Sequence, residues 1–120
     1  MEVESINHCS VSVIDAERAV NFYKTVLGLT EIEPPLAGVK WFLAGNQQIH
    51  LLTEGTVHES PNHVALNVKS LNDAKTRLIE QGVEIIAADP VPGVDRLFIK
   101  DTEGNLIELV EVKGTSSSKL

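Results

Sequence analysis

Asn105-Leu106-Ile107-Glu108-Leu109-Val110-Glu111 sets a carboxylate, Glu108, inside an otherwise apolar strand. Burying an unpaired charge costs on the order of several kcal/mol. Glu108 therefore needs a positive partner, and no Lys or Arg lies nearby in that strand. Three of the four histidines, His8, His50 and His63, also fall inside strand-like runs. Three imidazoles and a carboxylate together suggest a metal ion at the centre of the fold.

Periodicity places each of these residues on a strand. Residues 6–13 alternate, with Cys9, Val11 and Val13 on one face and His8, Ser10 and Ser12 on the other. Asp15 then caps a helix over residues 16–27, stopped by Gly28. Short strands follow at 29–33, 39–44 and 48–53, the last two joined by the hairpin signal Gly45-Asn46. After a polar loop at 54–62, residues 63–68 form a strand and Ser70 caps a second helix that ends at Gly82. Strands at 83–88, 95–100 and 106–112 complete the chain.

The two halves follow one plan of strand, helix and three strands, and they share residues. Asn7-His8 is answered by Asn62-His63, Gly28-Leu29 by Gly82-Val83, and the run from Gly45 to Leu51 by the run from Gly104 to Leu109. This is an internal duplication. The four candidate ligands occupy the first and last strands of each copy. The predicted fold class is α+β, with two tandem βαβββ modules (residues 1–54 and 61–113) forming a curved, cup-like mixed sheet. The modules make up a single domain over residues 1–113, and 114–120 read as a flexible tail.

Composition narrows the function classes. A chain of 120 residues at 42% hydrophobic holds enough apolar material for a core, and with aromatics at 4% that core is aliphatic. A net charge of −7 argues against a nucleic-acid partner or an anionic membrane surface. No apolar run approaches the roughly 18 residues that span a bilayer. The acidic start lacks a secretory h-region, and a single cysteine fits a reducing compartment, so an intracellular, cytoplasmic protein is expected. The terminal Ser118-Lys119-Leu120 matches the peroxisomal address, or is a vector-derived extension.

The stretches Asn7-His8, Ala19 to Leu29, His63 to Val68 and Asp101 to Leu109 resemble the vicinal oxygen chelate superfamily, which holds glyoxalase I, extradiol dioxygenases, fosfomycin-resistance enzymes and bleomycin-binding proteins. The resemblance implies that His8, His50, His63 and Glu108 hold one divalent metal ion per site (Zn, Ni, Co, Mn or Fe). It departs at His50, a position that many glyoxalases and epimerases fill with a carboxylate or amide. It also implies a homodimer and a small-molecule substrate with vicinal oxygens. Glu108 is the candidate catalytic base, and Trp41, Asn67 and Arg96 are candidates to face the substrate. The implied activity is a glyoxalase-like lyase or isomerase. The alternatives are an extradiol-type iron dioxygenase and a non-catalytic binding protein of the bleomycin-resistance type.

Overall fold

The computed structural model describes residues 1–113; the predicted tail and its Ser-Lys-Leu ending lie outside the described residues. The chain divides into two compact units. One comprises Met1–Glu59 with Thr102–Asn105, and the other Ser60–Asp101 with the described residues from Leu106 to Lys113.

Each unit carries a mixed four-stranded sheet. In the first, β1 (His8–Ser12), β2 (Thr30–Ile32), β3 (Val39–Ala44) and β4 (Gln47–Leu52) lie in the order β1-β4-β3-β2. In the second, β5 (His63–Asn67), β6 (Ile86–Ala87), β7 (Val94–Lys100) and β8 (Leu106–Val112) lie in the order β5-β8-β7-β6. The first and last strands of each copy pair in parallel, while the hairpins pair antiparallel. The duplication read in the sequence is thus repeated in topology and in register. Ser10 faces His50 across β1 and β4, and Ala65 faces Glu108 across β5 and β8.

Local chemistry explains the elements. Asp15 caps α1 (Ala16–Asn21) by accepting the Arg18 backbone N–H at 3.0 Å. Ser70 does the same for α2 (Leu71–Glu80) through the Asp73 N–H at 3.2 Å. In the Gly45-Asn46 turn Gly45 takes φ 64° at the first position, where a two-residue hairpin needs a residue free of Cβ strain.

Where an unbroken helix is predicted over residues 16–27, α1 instead widens at Phe22–Val26 into a π-helical turn, closed by a Leu27 N–H to Phe22 carbonyl bond of 3.1 Å. Phe22 and Tyr23, adjacent in sequence, are both buried there. Tyr23 packs on Phe42 at a ring distance of 5.8 Å, so the first core has an aromatic centre with Val13, Ile49 and Leu51 around it. The second core is aliphatic: Leu71, Leu78, Leu97, Ile99, Ile107 and Leu109.

Candidate metal centre

His8 and His50 project from the same face of the first sheet, because His8 pairs with Gln48, two residues before His50. Their rings stack at 3.9 Å and 19°. Trp41, directly opposite His50 across β3 and β4, covers the other face of the His50 ring at 4.1 Å and 3°. His50 is buried and His8 is exposed. Burial, with the His8 ring beside it adding a smaller effect, holds the His50 imidazole below its ordinary pKa, so the ring favours its neutral form.

The nitrogens are used differently. His8 Nδ1 donates to Asn7 Oδ1 at 2.8 Å, which leaves Nε2 of the neutral ring as the lone-pair nitrogen. His50 Nε2 is instead engaged by Gln48 Oε1 at 2.8 Å.

The second unit repeats the arrangement with a carboxylate. His63 pairs with Leu106, two residues before Glu108. His63 Nδ1 donates to the Pro61 carbonyl at 2.9 Å, and Nε2 stands 3.0 Å from Glu108 Oε1. Arg96 donates through Nη1 to Glu108 Oε2 at 3.3 Å, while its Nε and Nη2 hold the Asp89 carbonyl at 3.1 and 2.9 Å.

Glu108 has no Lys or Arg beside it in its own strand, but the structure supplies a cation from the neighbouring one. Arg96 comes from β7, where it faces Val110, the same-face neighbour two residues beyond Glu108. Looking along one strand missed a partner that the antiparallel register supplies from the next. Asn67 lies on the exposed face of β5 together with His63 and Ala65. Among the described residues no group of three or more His, Cys, Asp or Glu side chains is gathered to hold an ion. The described contacts join His8 with His50 and His63 with Glu108, each pair within its own unit.

The donor chemistry nonetheless suits a divalent ion. With Nδ1–H committed to Pro61, a neutral His63 turns a lone pair toward a carboxylate oxygen 3.0 Å away, and two electron-rich atoms so close require a positive centre, either a proton or a metal ion. Imidazole nitrogen with carboxylate oxygen is the donor set of Zn, Fe, Co, Ni and Mn rather than of Ca or Mg.

Sequence reasoning missed two buried carboxylates, Asp101 and Glu103. Glu103, in the turn after β7, accepts the backbone N–H groups of Ile14 and Asp15 at 2.9 and 2.8 Å, the Thr102 hydroxyl at 2.8 Å, and Arg18 Nε at 2.8 Å. The Arg18 guanidinium first, and then the donors from Asp15, Thr102 and Ile14, lower its pKa to about 2 against an opposing effect of burial. Glu103 anchors the chain between β1 and α1; it is a structural clamp, with no feature in its own turn that would have flagged it.

A sequence model of the Glyoxalase/Bleomycin resistance protein/Dioxygenase superfamily matches residues 5–109. The chain belongs to that superfamily. Among its curated superfamily relatives, glyoxylase I 4 of Arabidopsis thaliana is 28% identical, over 91% of this chain and 71% of the relative. The metallothiol transferase FosB of Shouchella clausii is 30% identical, over 89% and 80% respectively. A superfamily structure described as a glyoxalase family protein from Bacillus anthracis shares 33% identity at a TM-score of 0.87, covering 94% of this chain and 98% of that one. The fosfomycin resistance protein FosX of Listeria monocytogenes, at 22% identity and a TM-score of 0.80, shares the fold over 99% of this chain and 100% of that one. Among the described residues no helix is long and apolar enough to cross a membrane.

Proposed function

We propose that this protein is a divalent-metal-dependent lyase or isomerase of the glyoxalase type, acting on a small substrate that offers two neighbouring oxygens. The observation that carries the proposal is the His63–Glu108 contact, in which the Pro61 carbonyl fixes the ring so that Nε2 stands 3.0 Å from the carboxylate. His8, with Nδ1 committed to Asn7, offers a second nitrogen of the same kind. His8, His63 and Glu108 are the proposed ligands, and the duplicated positions from which they come support taking them as one set.

A bound ion would polarise the two substrate oxygens and stabilise negative charge that develops on them. Glu108 is the proposed base: its carboxylate takes a proton from the substrate carbon and returns it to a neighbouring position. Arg96 holds the second carboxylate oxygen in place and adds positive charge beside a developing anion. Asn67, exposed on the face that His63 shares, is available to hydrogen-bond the substrate. A cytoplasmic homodimer completes the proposal.

Thiol transfer to a bound substrate is a second function for the same residues, supported by the FosB relative and its name. Metal content of protein purified without chelators tests both. About one ion per chain in the wild type and far less in Glu108→Gln is the expected result. No metal in either protein, even after reconstitution, overturns the metalloenzyme proposal. Turnover of a 2-oxoaldehyde–thiol adduct without consumption of free thiol favours the isomerase; thiol consumption matched to substrate favours the transferase.

A further inference from the structure

We propose that His50, although it sits at the fourth position of the duplicated set, is not a ligand of the ion but a positioning residue: a flat plate that holds the His8 ring. The inference rests on the metal reading above and deepens it. Three observations carry it.

The first is nitrogen use. His8 and His63 both spend Nδ1 on a neighbouring oxygen, of Asn7 and of Pro61, which leaves Nε2 as the nitrogen turned to the candidate ligands, in His63 within 3.0 Å of Glu108. His50 is the reverse case, with its Nε2 engaged by Gln48 at 2.8 Å. Whichever end of the Gln48 amide faces the ring, that nitrogen is occupied.

The second is the environment of the ring. Both faces of His50 are covered, by Trp41 at 4.1 Å and by His8 at 3.9 Å, and the residue is 7% exposed. His8 and His63 are exposed and Glu108 is as buried as His50, so it is the ring packed on each face, not burial, that sets His50 apart and fixes it in place.

The third is order in the stack. Trp41 belongs to a strand bonded on both sides, between β2 and β4, so the bottom of the stack is fixed by the sheet. His50 lies directly opposite it, and His8, near the start of an edge strand, rests on top. A side chain near the end of an edge strand is the one that most needs orienting, and a stacked ring restricts its rotation. With three protein ligands rather than four, the ion keeps one more position for a substrate oxygen or water.

The test compares cobalt(II) affinity, by competition with a coloured chelator, for wild type, His50→Phe, His50→Ala and His63→Phe. His50→Phe keeps a flat ring but carries no nitrogen. It should bind within about 3-fold of wild type, His50→Ala about 10-fold more weakly, and His63→Phe at least about 100-fold more weakly. Loss in His50→Phe as large as in His63→Phe overturns the inference and leaves the metal reading standing. A wild type that binds no cobalt sinks both.

Nitrogen-15 spectra of the wild type give a readout that does not depend on how any variant folds. Zinc should move the Nε2 resonances of His8 and His63 and leave both nitrogens of His50 in place. A zinc-dependent shift of a His50 nitrogen as large as theirs also overturns the inference.

Discussion

His63 Nε2 and Glu108 Oε1 lie 3.0 Å apart while the other nitrogen of the ring is spent on the Pro61 carbonyl. A neutral ring held that way has no proton to give the carboxylate, so the pair is complete only with a positive centre from outside the two side chains or with a proton taken up by the ring. That makes the contact responsive to cations, and metal removal is the direct probe. Chelator treatment should abolish activity, and a divalent ion should restore it in the wild type but not in Glu108→Gln. The checks are activity before and after dialysis, with metal quantified in the same samples.

Arg96 bonds one oxygen of a carboxylate that is 8% exposed. Replacing Arg96 by Leu leaves that oxygen without its donor, and a buried acceptor stripped of its partner costs about 1–3 kcal/mol. Chemical denaturation of Arg96→Leu in the metal-free state should show a loss of this size. Restoration by Arg96→Lys should be incomplete, since an ammonium cannot hold both the Asp89 carbonyl and Glu108 through a planar fork.

Glu103 gives the acid limb of stability. Its folded pKa, about 2, lies below its ordinary value of 4.5, so the folded state binds its proton less readily than the unfolded chain does. The stabilisation is therefore fully present above about pH 4.5 and is lost as the pH falls towards 2. Glu103→Gln should lower stability near neutral pH by about 2 kcal/mol, the scale of a hydrogen bond to a charged group. Urea midpoints for the two proteins should converge as the pH drops through that window.

Gly28 and Gly82 end the helical segments of the two modules with the same left-handed backbone, φ 72° in each. A Cβ added at either position meets nothing within 4 Å, so the cost of Ala there is backbone strain alone. Each Gly→Ala change should cost about 1 kcal/mol, read from thermal or urea unfolding.

Much of this was legible in the sequence, because the information was local. The Asn-His doublets, the Gly stops and the alternation of residues 6–13 and 63–68 each depend on neighbours a few positions away, and they led to the duplicated order of elements found. The candidate ligands fell on the expected strands for the same reason. Contacts set by strand pairing or by distant loops were not legible. Arg96 reaches Glu108 only through the β7–β8 register, and the commitment of His50 to Trp41 and Gln48 is a matter of ring orientation rather than parity. The π-helical turn at Phe22–Val26 preserves the apolar stripe that also signals an ordinary helix, so the pattern alone does not distinguish them.

The turn Thr102–Asn105 belongs to the first compact unit although it is near the far end of the chain. Glu103 reaches back across 89, 88 and 85 positions to Ile14, Asp15 and Arg18. During synthesis, then, the first unit waits for its clamp until the second copy has been made through β7. A gene cut between the two copies would release a first half with the segment between β1 and α1 unanchored. The two copies of the duplication therefore share one clamp: the carboxylate that ties down the first copy is supplied by the turn of the second.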